Sequence, residues 1–414
     1  MNNKYYIGIC AFLIAGLLFL TMGGGCARFE AEESLAAPAE ELDERLINAN
    51  NRLGFNIFHE LGKDKNDNLL ISPSSILIAL AMTYNGAEEE TRSAMEETLF
   101  FQDMSRVEVN ESFYSLLTIL KNPDPKVEMT TANSLWARKG IEFKEDFLQR
   151  NSKYFDAEVT DLDFDDPGST DIINNWVKDK TRGTIEDIIE PPIDPLTVLF
   201  LINAIYFNGE WTEPFDPELT REIPFKLNHG SEKEHPVMFR KDDFEYLETE
   251  LFQAVRLPYG KNERLGMHVF LPSEETGLEG FYEKLDAESW KEWSSSYQSS
   301  EVELGLPRFE FEYETSLNAV LKNLGMGIAF DDQAADFSGM RDIPPRLFIS
   351  EVKHKSFIEV NEEGTEAAAV TSVEIALESA MPDHFTMIVD RPFFFAITDD
   401  MTGTIIFMGS LLEP

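Results

Sequence analysis

The stretch EVNEEGTEAAAVTSVEIALESAMP, residues 359–382, sets the hardest condition on the fold, because its local preferences point two ways. Glu366, the run Ala367, Ala368 and Ala369, and the later Glu374, Ala376, Leu377 and Glu378 favour helix, while Val370, Thr371, Val373 and Ile375 favour strand. Parity decides between them. Read with period two, one face collects Thr365, Ala367, Ala369, Thr371, Val373, Ile375 and Leu377, and the other collects Glu366, Ala368, Val370, Ser372, Glu374, Ala376 and Glu378. Every charge falls on one face. This predicts a strand with one small buried face and one wet face, but no turn residue brackets the segment into a hairpin, so it is a strand without an evident partner. Gly364, just before it, reads as a pivot. A segment that can be loop or strand, hung on a glycine, reads as a moving part.

The body that would hold this part is large. A chain of 414 residues with 43% hydrophobic and 12% aromatic side chains can bury a sizeable core. With no low-complexity linker through the middle and no internal repeat, it reads as one domain. Its 35 basic and 76 acidic residues leave a net charge of −41, which excludes a nucleic-acid partner and reads as a heavily solvated surface.

Residues 1–25 form a separate object. Lys4 precedes the uncharged run from Tyr5 to Met22, then Gly23, Gly24, Gly25 and Cys26 follow, which reads as an export signal with a small-residue processing site. It resembles a lipoprotein signal in which Cys26 is the lipidated residue, although Gly23 stands where that pattern usually carries an aliphatic side chain. An uncleaved anchor is the alternative. Either reading places the rest outside the cytoplasm, secreted or attached to the outer face of the cell membrane through the N-terminus alone. Cys10 and Cys26 are the chain's two cysteines, so the folded body is not stapled by disulfides. Residues 26–44 are acidic and alanine-rich and read as a tether to a domain spanning 45–414.

Within that domain, Leu46, Ala49, Leu53, Ile57 and Leu61 line one helical face. In ISPSSILIALAMTYNGA, Ser72 reads as a helix cap, Pro73 as the first turn and Asn85-Gly86 as the stop. A further helical pattern covers 106–120. Strand signals then dominate in VEMTTANSLWAR from Val127, VLFLINAIYF from Val198, LGMHVFLP from Leu265, EVELGLPRFEFEYE, LFISEVKHKSFIEV, RPFFFAI and GTIIFMGSLL. The sum is an α+β fold with helices early and long strands late. Two polar residues interrupt these apolar runs. An unpartnered Asn203 amide would cost about 1–3 kcal/mol, and His354 sits inside an alternating strand. With the hydroxyls of Ser72 and Ser75 they can form one buried hydrogen-bond network. The chain has six histidines but no G-x-S-x-G elbow, no H-E-x-x-H and no glycine-rich phosphate loop, so it is not read as an enzyme and no cofactor or metal is called.

Four of these stretches, in order, resemble one family. ISPSSI, LINAIYFNGEWTEPF, VNEEGTEAAAVT and RPFFFAITDDMTGTIIFMGSLLEP are similar to segments of the serpins, and the resemblance, to an inhibitory prokaryotic member, runs from Arg45 to Pro414. It implies a fold of three β-sheets and about nine helices with an exposed reactive-centre loop, and inhibition of a protease by suicide substrate. The protease would cut the loop, form an acyl-enzyme, and be trapped as the loop inserts into the largest sheet. The resemblance assigns Glu362, Glu363, Gly364, Thr365, Glu366, Ala367, Ala368, Ala369, Val370 and Thr371 to the hinge. Ser72, Ser75, Asn203 and His354 fall at the shutter beneath the opening sheet, and Trp211 and Arg308 at the breach where insertion starts. Arg308 would face Glu362, the alternative being a solvated contact worth under ~1 kcal/mol. Thr365 is expected to be exposed before cleavage. Counting from the hinge glycine places the reactive bond at Glu378-Ser379, with Leu377 or Met381 as alternatives. Glu378 would suit a glutamate-specific serine protease, and Leu377 a chymotrypsin-like or subtilisin-like one, with cysteine proteases a further option. A monomer is expected. The competing reading is a non-inhibitory serpin that acts as a binding, chaperone or storage protein.

Overall fold

A computed structural model describes residues 42–64, 67–121, 123–195, 197–344, 346–365 and 385–414. The export signal with Cys26, the hinge residues from Glu366 to Thr371 and the reactive-bond candidates Leu377, Glu378, Ser379 and Met381 lie outside the described residues, as does all of the tether but its last three residues. Early in the chain, local signals fix the helices. Helix α1 (Glu44–Leu61) starts at Asp43, whose carboxylate accepts the Arg45 N–H at 2.9 Å, and it buries the predicted Leu46, Ala49, Leu53 and Ile57. Helix α2 (Pro73–Tyr84) is capped by the Ser72 hydroxyl on the Ser75 N–H, carries proline in its first turn and stops at Asn85. After α3 (Glu89–Thr98), helix α4 (Arg106–Leu120) opens on a reciprocal capping box between Ser105 and Glu108. The others are α5 (Glu145–Phe155), α6 (Ser169–Lys180), α7 (Gly277–Tyr282), α8 (Ala287–Ser294) and α9 (Asn318–Leu321).

Strands β1 (Leu69–Ile71), β2 (Val127–Arg138), β3 (Glu158–Leu162) and β4 (Leu199–Glu210) precede the strand-rich part. There follow β5 (Arg221–Lys226), β6 (Glu232–Glu248), β7 (Phe252–Tyr259), β8 (Leu265–Pro272), β9 (Gln298–Pro307) and β10 (Phe309–Ser316). The chain ends with β11 (Lys353–Val360), β12 (Gly364–Thr365), β13 (Phe385–Ile388), β14 (Phe393–Asp399) and β15 (Thr404–Leu411). LFISEVKHKSFIEV becomes strand only from Lys353. One hydrogen-bonded network has the order β1-β15-β14-β8-β7-β6-β9-β13, with β5 on β6. The 17-residue β6 joins what would otherwise be two sheets: its first part ladders with β5 and β9, and its last four residues with β7. Strands β8, β14 and β15 are buried throughout, as expected for continuous apolar runs at the centre of a sheet.

The second sheet, ordered β10-β11-β12-β4-β2-β3, carries the functional candidates. Its strands β2 and β4 pair antiparallel with Asn133 opposite Asn203, and β10 pairs with β11 with Phe309 opposite Val360. Between β4 and β11 lies the two-residue β12, antiparallel to both, so β4 and β11 run parallel to each other. Among the described residues nothing else pairs across that interval.

Candidate functional site

The hinge begins with a turn that the sequence reading did not find. The Asn361 side-chain oxygen accepts the N–H groups of Glu363 at 3.0 Å and Gly364 at 3.3 Å, and the Asn361 N–H donates to the Gly364 carbonyl at 3.0 Å. This Asx turn folds the chain back, so β12 pairs with β11 at Val360-Thr365 and with β4 at Thr365-Gly209 and Gly364-Glu210. Gly364 and Thr365 thus have strand partners already. Gly364 serves contact more than pivoting: a Cβ there would stand 2.0 Å from the Gly209 carbonyl oxygen.

Each carbonyl of the turn is held by the segment that follows β4. The Trp211 indole donates to Asn361 O at 3.0 Å, the Phe215 N–H to Glu362 O at 2.8 Å and the Trp211 N–H to Glu363 O at 2.7 Å. Trp211 is itself buried, stacked on Tyr259 with ring centroids 4.4 Å apart. Arg308 and Glu362 do meet. Arg308 Nε donates to the carboxylate at 2.8 Å, and its Nη2 and the Thr220 hydroxyl reach the same oxygen. The carboxylate is buried while the guanidinium is half exposed, so this is no solvated surface pair. Burial alone would raise Glu362, and the Arg308 and Thr220 hydrogen bonds outweigh it to hold the carboxyl below its ordinary range. Glu363 moves the opposite way, pushed up by partial burial and by the neighbouring Glu210 and Glu362.

Thr365 corrects the expectation of an exposed hinge. It is buried, with its hydroxyl oxygen 2.6 Å from the Tyr259 hydroxyl. Its inward direction agrees with parity, but Gly364 and Thr365 already sit in the sheet.

Deeper in the sheet, the buried His354 ring takes up the cap of α2. Its Nε2 accepts the Ser72 N–H at 3.1 Å, with the Ser356 hydroxyl 2.7 Å from the same atom, and Ser72 Oγ accepts the Ser75 N–H at 3.2 Å. A backbone N–H can only donate, so Nε2 is the acceptor and the ring proton lies on Nδ1. Burial lowers the His354 pKa to about 4, which keeps the ring neutral. Ser75 joins through its backbone. Asn203 does not join: its Nδ2 donates to Asn133 Oδ1 at 2.6 Å, and Asn133 in turn donates to the Phe155 carbonyl at 2.5 Å. The ladder gives the reason. Asn203 lies six residues from Gly209 along β4 and His354 six from Val360 along β11, so the two are level, but on strands that do not pair directly among the described residues. Ser356, missed in the sequence, shares the parity of His354 and could have been found from it.

The pH dependence of stability follows. Neutral in the fold and basic at its ordinary 6.5 when unfolded, His354 contributes stability that is complete above pH 6.5 and is lost as pH falls towards 4. The difference amounts to about 3 kcal/mol. Thermal unfolding at intervals from pH 7.5 to 4.5 should show a falling midpoint, and His354→Asn, less stable overall, should show a flatter slope. An unchanged slope in the variant would assign the effect elsewhere.

The chain was compared with known proteins. The model of the family described as Serpin (serine protease inhibitor) matches residues 48–414. Serpin B6 of Pongo abelii is 39% identical over 379 residues, covering 89% of this chain and 99% of that protein. The leukocyte elastase inhibitor of Equus caballus is 35% identical, covering 90% of this chain and all of that protein. The crystal structure of tengpin, a thermophilic serpin, in its native state superposes with a TM-score of 0.83 at 35% identity, covering 90% of this chain and 95% of that one. With these matches across the same strands, hinge and C-terminal pair described above, the chain belongs to the serpin family.

Proposed function

We propose that this serpin is a suicide-substrate inhibitor of a serine-type protease, which traps the acyl-enzyme by drawing the cut loop between β4 and β11. The observation that carries this reading is the pairing of β12 with both strands in a register that the alternating sequence can continue. Extended stepwise, that register sets Ala367 opposite Ile358 and Phe207, Ala369 opposite Ser356 and Ile205, and Thr371 between His354 and Asn203. The inward residues are thus small where β11 presents its buried side chains, and Glu366 falls on the opposite face, level with Glu359 and Asn208. Insertion of about a dozen residues adds on the order of ten net hydrogen bonds at ~0.5–1.5 kcal/mol each, so about 10 kcal/mol is stored in the uncut form. The uncut form is then kinetically trapped. The catalytic groups belong to the protease. That one relative is an inhibitor of leukocyte elastase supports a protease partner.

The reactive bond is Glu378-Ser379 on this reading, with Leu377 and Met381 as the competing positions, and the protein acts outside the cytoplasm as a monomer attached through Cys26. The experiment is incubation with glutamate-specific, chymotrypsin-like and subtilisin-like proteases, followed by denaturing electrophoresis and mass measurement of the released C-terminal peptide. A covalent complex is expected with at least one enzyme, and cleaved inhibitor should melt well above intact inhibitor. Equal melting temperatures would exclude insertion.

Because Thr365 is already buried, the substitution that separates inhibitor from substrate lies further along. Ala367→Arg would force an unpartnered guanidinium between packed strands at a cost of several kcal/mol, so the variant should be cut at the same bond yet release active protease. Glu366→Arg, facing water, should still trap, and equal trapping by both would refute the parity argument. For attachment, Cys26→Ser should move the protein from the membrane fraction to the soluble one, whereas unchanged attachment would favour an uncleaved anchor.

A further inference from the structure

We infer that Tyr259 is the seat that fixes the register of the hinge and that Asp124 positions it, an assignment that rests on the inhibitory reading above. Tyr259 is the last residue of β7 and is fully buried. Its ring lies between Trp211, stacked at 4.4 Å and 13°, and Phe207, edge-on at 5.1 Å. It also packs beneath Gly209, where a Cβ would come within 2.8 Å of the ring. The phenol then meets the Thr365 hydroxyl at 2.6 Å. What distinguishes this contact is where Tyr259 is mounted. It belongs to the sheet laddered through β6 and β8, not to the pair β4 and β11 between which the hinge sits. Thr365 is therefore measured against a reference outside the strands that it joins.

The reference is itself pinned. The Gly260 N–H donates to Glu210 O at 2.9 Å, the Thr212 N–H to Pro258 O at 2.9 Å and the Thr212 hydroxyl to Gly260 O at 2.8 Å, which stitch the end of β7 to the end of β4. From the other side, the Asp124 carboxylate accepts the N–H groups of Lys126 at 2.8 Å and of Lys261 and Asn262 at 2.9 Å each. It lies so close to the turn that a Cβ on Gly260 would stand 2.4 Å from its Cγ, at a residue whose φ of +76° also favours glycine. Asp124 thus holds the turn immediately after Tyr259, while Trp211 and Phe207 hold the ring.

The consequence is kinetic. With Thr365 seated, insertion after cleavage extends a ladder already started, rather than having to nucleate one between two strand edges. Trapping competes with deacylation, so the seated fraction governs how many cut molecules become inhibitor complexes and how many are released as spent substrate. Tyr259 and Asp124 are positioning residues in this scheme, and neither touches the reacting bond.

The test is a double-mutant cycle on the full chain with a protease that the native protein traps. Tyr259→Phe and Thr365→Val each remove one hydroxyl at nearly constant shape. Each should raise the moles of inhibitor cut and released per mole of protease trapped by about fivefold, the scale of one net hydrogen bond, without slowing cleavage of the loop. The double variant should be no worse than either single one, Thr365→Ser should stay near the native value, and Asp124→Asn should resemble Tyr259→Phe. Multiplied effects in the double variant, or native stoichiometry in both singles, would overturn the assignment. Hydrogen exchange over residues 361–365 in the uncut protein gives a reading that needs no protease: both single variants should lose protection there by a similar factor. Unchanged protection would refute the seat even if protease is trapped, whereas lost protection without any trapping by the native protein would keep the seat and sink the inhibitory reading.

Discussion

Everything at this site depends on two parallel strands held one strand apart. Because β12 is antiparallel to both β4 and β11, those two must run in the same direction, and a strand between them separates their axes by about 10 Å, twice the usual spacing. Backbone donors and acceptors along facing strand edges are groups that a buried sheet has to satisfy. Among the described residues, β12 answers that demand for two residues. The capture of the turn carbonyls by Trp211 and Phe215, the Arg308-Glu362 pair and the Ser72-His354 contact all sit along this one interval, and each helps to hold the strands that border it.

The two ends of the interval are closed by different chemistry. At the top, a buried carboxylate is balanced by a guanidinium that keeps one side in water, an arrangement that avoids burying two full charges. Lower down, the group is neutral and its donor is a helix cap. Ser72 performs two tasks at once, its hydroxyl capping α2 and its N–H donating to His354 on β11. Displacing β11 from α2 would therefore leave a buried backbone N–H without its acceptor, at a cost of about 1–3 kcal/mol. In this way a helix start communicates with the sheet through a single bond, without an extended network and without Asn203.

Legibility from sequence divides along the same line between local and distant causes. The cap at Ser72, the helix 106–120 and the strand from Val127 follow from spacing and capping chemistry, which act within a few residues, and the structure has them where those rules put them. The inward parity of Thr365 is likewise a local fact. What could not be read was burial decided by another part of the chain. Glu362 looks like a surface acid until Arg308 and Thr220 are brought to it, and Tyr259 looks like an ordinary core aromatic until Thr365 arrives at its hydroxyl. Grouping Asn203 with His354 failed for a related reason: both are polar residues in apolar strands, but sequence does not say that Asn203 turns to Asn133 on β2 while His354 takes the Ser72 cap. The turn at Asn361 was a readable signal that went unread, since asparagine followed by glycine three residues later suits an Asx turn.

The polar character of the hinge seat has a purpose that an apolar one could not serve. An alternating strand that slips by one residue exchanges its two faces completely. Here a slip would bring Glu366 to the place of Thr365, setting a carboxylate against the Tyr259 ring and beneath Gly209, where its neighbours would be aromatic rings and a hydroxyl. Burying that charge with a single hydroxyl for a partner costs several kcal/mol. A purely apolar pocket would reject the acid too, but it would accept Ala367 or Ala369 as readily as Thr365, leaving two-residue slips open. The phenol distinguishes these, because an alanine leaves its hydroxyl unpaired whereas a threonine does not. Thr365 and Thr371 are the two threonines on the inward face, six positions apart and separated by alanines. The sequence therefore offers Tyr259 one suitable partner within any short slip, so the start of the ladder is defined before its length is laid down.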